Sequence, residues 1–127
     1  MTKVSVSLLF TFFSLVLSAR AAWASETIDL VIIETLPVPI VTESRVEFEK
    51  ELARIMPDHE LNITIYNAEG SEIRAKAILK ELADKPAPDL IVSAATLATR
   101  ALNASDDFLD VPKLFMVVSA PGEEGIV

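Results

Sequence analysis

Pro88-Asp89-Leu90-Ile91-Val92-Ser93-Ala94-Ala95-Thr96-Leu97-Ala98-Thr99-Arg100 decides the fold. Leu90-Ile91-Val92 is a short apolar run, which is how a strand buried on both faces of a parallel sheet reads. Ser93-Ala94-Ala95 turns the chain, and Thr96 stands where an N-cap would precede a helix through Leu97, Ala98, Ala101 and Leu102. A strand feeding a helix through small residues leaves backbone N–H groups free at the strand's carboxyl end. Such a place suits an anion or a small polar ligand.

Working outward, the same unit recurs. Ile28-Asp29-Leu30-Val31-Ile32-Ile33 is a β-branched strand. Glu34 to Val41 carries Pro37 and Pro39 and reads as a loop. Phe48, Leu52, Ile55 and Met56 then mark one face of a helix capped by Thr42 or Ser44 and ended by Pro57. Leu61, Ile63 and Ile65 alternate with Asn62, Thr64 and Tyr66, a half-exposed strand for a sheet edge. Ser71 caps a helix with the stripe Ala75, Ile78, Leu79, Leu82 and Ala83. A polar stretch, Asn103 to Asp110, leads to a last buried-looking strand, Lys113 to Val118, and the turn Ser119-Ala120-Pro121-Gly122.

The pattern β-α-β-α-β-α-β predicts an α/β fold: a three-layer, doubly wound parallel sheet with right-handed crossovers. Strand order 2-1-3-4 puts the polar second strand outside and buries the first and third. The crevice then opens at the carboxyl ends of the first and third strands, beside Glu34-Thr35-Leu36, Ser93 to Thr96 and Ser119-Ala120-Pro121.

Residues 1–24 read as an address. One lysine precedes the uncharged run Val4 to Leu17, which at about 14 residues is short of the roughly 20 that span a membrane. Ala22-Trp23-Ala24 fits a small-x-small cleavage pattern, with Ala19-Arg20-Ala21 a weaker one and an uncleaved anchor the alternative. Cleavage after Ala24 removes Lys3 and Arg20, leaving 9 basic and 19 acidic residues, a net −10. An exported, cysteine-free domain of residues 25–127 fits a bacterial periplasm, where a small fold need not rely on disulfides. A membrane-anchored domain facing the periplasm is the alternative.

Several functions find no support. The acidic balance offers no patch for nucleic-acid phosphates. Without cysteine, and with His59 as the single histidine, in a loop expected to be solvated, no metal site is expected. No Gly-rich phosphate loop follows the first strand, there is no Gly-x-Ser-x-Gly elbow, and Glu34 is the one acid at the crevice. Neither catalytic residues nor a cofactor is expected, and the chain reads as a non-enzyme.

The order of features carries a resemblance. Ile63-Thr64-Ile65-Tyr66-Asn67-Ala68-Glu69-Gly70 is followed by a helix ending Leu82-Ala83-Asp84-Lys85. Then come Pro88 to Val92 with Ala95-Thr96, Val111-Pro112 with Phe115, Val118-Ser119 and Pro121, and Gly125-Ile126-Val127. From Ile28 to Val127 this resembles the substrate-binding proteins of ABC transporters, of the tryptophan/tyrosine type and the type I periplasmic binding protein fold. The resemblance implies the first part of lobe one of a two-lobed clamp. It also implies a small, amino-acid-like ligand held at Thr35, Ala95, Thr96 and Ser119, with ABC permease subunits as partners. Where the family commonly reads Ser-Asp-Pro, this chain has Ser119-Ala120-Pro121, so a ligand ammonium would lack a carboxylate there. The sensor domain of a membrane receptor, a histidine kinase or cyclase, is the second reading, and a truncated reading frame the third.

Overall fold

The computed structural model describes residues 25–123, 125 and 126, so the predicted signal segment 1–24 lies outside the described residues. Four parallel strands, β1 (Thr27–Glu34), β2 (Glu60–Asn67), β3 (Leu90–Ala94) and β4 (Lys113–Met116), lie in the order β2-β1-β3-β4, as expected. Leu30 sits opposite Ile63 on one side and Leu90 on the other, and Val92 sits opposite Leu114.

Alternation along β1 and β3 builds the layers. Leu30, Ile32 and Val92 face one way, against Phe48 and Leu52 of α1 (Pro39–Ile55). Val31, Ile33 and Ile91 face the other way, against Ala75, Ile78, Leu79 and Leu82 of α2 (Glu72–Ala83) and Ala98, Ala101 and Leu102 of α3 (Thr96–Asn103). Helices on both faces make the three-layer, doubly wound arrangement. Asp29 and Asp89 lock β1 to the entry of β3: the Asp29 amide donates to Asp89 Oδ2 (2.8 Å), and the Asp89 amide to Asp29 O (2.9 Å). Ser71 caps α2 as expected, accepting from the Arg74 amide.

Five local expectations are corrected. Pro39 opens α1 instead of sitting in a loop, with Val38 as N-cap and neither Thr42 nor Ser44 in that place. A proline fits the first helical position because the N–H it lacks would have no helical acceptor there. Ile55 and Ala83 are exposed, each as the last residue of its helix. The polar stretch after α3 contains a 3-10 turn, Asp106–Phe108, that plants Phe108 in the core. β4 is shorter than expected and its Lys113, Leu114 and Phe115 are exposed, since it is an outer strand with a neighbour on one side only. His59 is half-buried, because its amide folds back on Met56 O, and its Nδ1 is buried with no partner among the described residues.

Candidate functional site

Each parallel strand delivers its loop, and the start of the following helix, to the same rim of the sheet. Thr35 directly follows β1 and is the hub of that rim. Its amide donates to Ala94 O (3.0 Å), its carbonyl accepts from the Gly70 amide (2.8 Å), and its Oγ1 accepts from the Ala98 amide (3.0 Å). The β1 loop is thereby tied to the ends of β2 and β3 and to α3. Gly70 has φ +69°, and the Leu36 side chain lies 3.5 Å from where a β-carbon would stand, so a glycine suits this turn.

Ala95 is the N-cap of α3, and Thr96 is its first residue, which corrects the expectation that Thr96 caps it. The capping oxygen comes instead from Thr35, sixty-three residues away in sequence. Ala95 sits at φ 70° and ψ 164°, a region that side chains other than glycine's rarely enter. It is held there from both sides: its amide donates to Met116 O (3.0 Å), and its carbonyl accepts from the Thr99 amide (3.3 Å) and Thr99 Oγ1 (2.9 Å). Thr99 is buried with Ser93, their hydroxyls 2.9 Å apart. Positive φ also occurs at Glu69 after β2 and at Val117 and Ala120 after β4, so backbone strain gathers at the carboxyl rim.

Thr35, Ala95, Thr96 and Ser119, the residues selected from the sequence, meet around the first turn of α3. Thr35 reaches it through Ala98, Ala95 caps it, and Thr96 Oγ1 accepts from the Ser119 amide at 3.4 Å. Of the four amides that open α3, those of Ala98 and Thr99 are used, while those of Thr96 and Leu97 have no acceptor among the described residues. The oxygens of Thr35 and Thr96 each accept one bond, which leaves each hydroxyl proton free to donate. The group can therefore offer hydrogen-bond donors to a carboxylate or a carbonyl oxygen.

Glu34, expected as the acid of the crevice, is already committed. It is buried, and its Oε1 accepts from Arg45 Nε at 2.6 Å, while Arg45 Nη1 donates to Glu49 Oε1 at 2.7 Å. The bond to Glu49 is the largest influence raising the Arg45 guanidinium above its ordinary value; burial opposes it, and the bond to Glu34 adds to it. The sequence reading missed Arg45. Its spacing of four from Glu49 is a helical pairing signal, but its reach to Glu34 depends on how α1 lies over the sheet.

Thr35 can be tested directly. Thr35→Val keeps the β-branched shape and removes the cap, so stability should fall by about 1 kcal/mol, whereas Thr35→Ser should lose less than half of that. Urea denaturation of the three proteins checks it, and equal losses for Val and Ser would overturn the capping role.

No family model and no curated protein matches the chain. Two solved structures do. One is the ABC domain from Streptococcus pneumoniae in complex with L-Trp, at 21% identity and a TM-score of 0.69, covering 80% of this chain and 34% of that one. The other is a ligand-free, open substrate-binding protein with adhesive properties from Clostridium difficile, at 27% identity and a TM-score of 0.65, covering 78% of this chain and 33% of that one. The chain thus spans about a third of the length of each. The resemblance read from the sequence is met in the structure: the chain has an α/β periplasmic-binding-protein-like fold and is similar to substrate-binding proteins.

Proposed function

We propose that this chain is part of the first lobe of a periplasmic solute-binding protein that serves an ABC importer. Its ligand is a small, polar, amino-acid-like molecule held between two lobes. The observation that carries this reading is the first turn of α3, where three strand-end loops converge around two open amides and two hydroxyls. Similarity to substrate-binding proteins, one of them in complex with L-Trp, supports it. The chain acts by binding and not as an enzyme, and export by the segment 1–24 brings it to the periplasm.

The test is an amide-resolved NMR titration of the purified protein with L-tryptophan, L-tyrosine and L-leucine. Millimolar ligand should shift the Thr96, Leu97 and Ser119 amides, with weak affinity because one lobe supplies only part of the contacts. Shifts confined to other residues, or none with any ligand, would refute the site. Genes for a permease and an ATPase beside the coding sequence would support the importer. A downstream membrane helix followed by a kinase or cyclase domain would instead make the domain a sensor.

A further inference from the structure

The side of β2 that faces α2 carries a polar row. Alternation turns Asn62, Thr64 and Tyr66 to the same side as Val31 of β1, and Asp29 stands opposite Asn62 in the register. Tyr66 is half-buried against the core, whereas Asn62 and Thr64 are exposed. Beside them a cleft of 280 Å³ is bounded by Asp29, Asn62, Thr64, Tyr66 and Lys85. Val31, Leu82 and Pro88, all buried, line it too. The polar row therefore surrounds an apolar floor, which a flat solvated face would lack.

Much of the hydrogen-bonding capacity around this cleft is unused. Asn62 Nδ2 donates to Asp29 Oδ1 at 2.6 Å, which leaves Asn62 Oδ1 and Asp29 Oδ2 without a partner among the described residues. The Thr64 hydroxyl has none there either. Tyr66 Oη accepts from Lys85 Nζ at 3.2 Å, so its own proton is free to donate. The lining carries one carboxylate, Asp29, and one ammonium, Lys85, and Glu81 already holds that ammonium at 2.5 Å. A ligand carboxylate would compete with Glu81, and a ligand cation would face Lys85. A hydroxyl both donates and accepts through one oxygen, and so meets each kind of group present.

We propose that this cleft binds a small, neutral polyhydroxy compound of the monosaccharide class, in a site separate from the solute crevice at the carboxyl rim. Alternate residues of β2 stand about 6.6 Å apart, so a ring with hydroxyls on several carbons reaches two of the three side chains at once. Asp29 and Asn62 accept from its hydroxyls, Thr64 and Tyr66 donate to them, and Leu82 and Pro88 meet its C–H groups. Lys85 lies over the Tyr66 ring, 5.7 Å from its centre, so hydroxyl contacts decide recognition more than stacking does. The cleft is at the small end of the range for ligand sites, which suits a single ring.

Amide-resolved NMR titration of the purified protein with D-glucose, D-galactose and D-ribose at tens of millimolar tests it, with ethanolamine and acetate as singly charged controls. At least one sugar should shift the Asn62, Thr64 and Lys85 amides, with a Kd in the millimolar range. Thr64→Val and Tyr66→Phe should each weaken that binding by about tenfold. Both substitutions keep the side chain's shape and remove only a hydroxyl, so thermal melting should remain close to that of the parent. No response of these amides to any sugar would overturn the proposal, as would a response that either variant leaves unchanged. So would a stronger response there to ethanolamine or acetate, because a charge would then govern the site. The Thr96, Leu97 and Ser119 amides report separately on the solute crevice, so the two readings fail independently.

Discussion

Arg45→Met should lower the stability of the protein by about 3 kcal/mol, the largest loss expected from any polar substitution near the site. Glu34 has a side chain only 5% exposed, at the end of the central strand, and Arg45 is its cation at 2.6 Å. Removing the guanidinium leaves a buried carboxylate without a partner, which costs far more than the pair contributes when intact. The double change Glu34→Met with Arg45→Met should therefore recover most of the loss, because neither charge then remains to be desolvated. Urea denaturation of the two variants and the parent decides the matter. If Arg45→Met loses less than about 1 kcal/mol, Glu34 has water or another donor to turn to, and the pair is not what seats α1 on the end of β1.

The second large effect is expected at Thr99→Val, about 2 kcal/mol. Thr99 has one hydroxyl proton, which goes to Ala95 O, so Ser93 must donate its own proton to Thr99 Oγ1. Valine keeps the shape but ends the relay. The buried Ser93 hydroxyl then lacks an acceptor, and Ala95 loses one of the bonds that hold it at positive φ. Strain that is no longer held in place should be relieved by glycine. Ala95→Gly added to Thr99→Val should regain about 1 kcal/mol, since glycine adopts this backbone without steric penalty. Differential scanning calorimetry of the single and double variants measures it. A double variant less stable than Thr99→Val would mean that Ala95 is not strained.

The parts of the fold set by apolar pattern were legible in the chain before any coordinates. The apolar runs Leu30-Val31-Ile32-Ile33 and Leu90-Ile91-Val92 placed β1 and β3 in the middle, and the polar residues of Ile63-Thr64-Ile65-Tyr66 placed β2 outside. Ser71 was readable as a cap because its partner Arg74 is three residues away. What the sequence hid depends on distant partners. Thr96 has the residue type of a cap, yet Thr35 does the capping, because the parallel register brings the end of β1 beside the first turn of α3. Phe108 hid in a polar stretch, since one turn of 3-10 helix is too short to show a period. The four candidate ligand residues were selected through the strand ends, and topology alone suffices to bring those together.

The register of β1 also bears on when the protein can fold. Leu30 pairs with Ile63 and with Leu90, so β1 leaves the ribosome before partners thirty-three and sixty residues behind it. Until β3 has been synthesised, β1 has an open side, and its apolar faces lack the helices that cover them. Parallel pairing over such distances closes long loops before any contact compensates, which slows folding relative to a helical domain of similar length. The nascent chain should therefore stay open until β3 has been made, and a protease added during translation should cut the β1 region until residues near Ala94 have emerged.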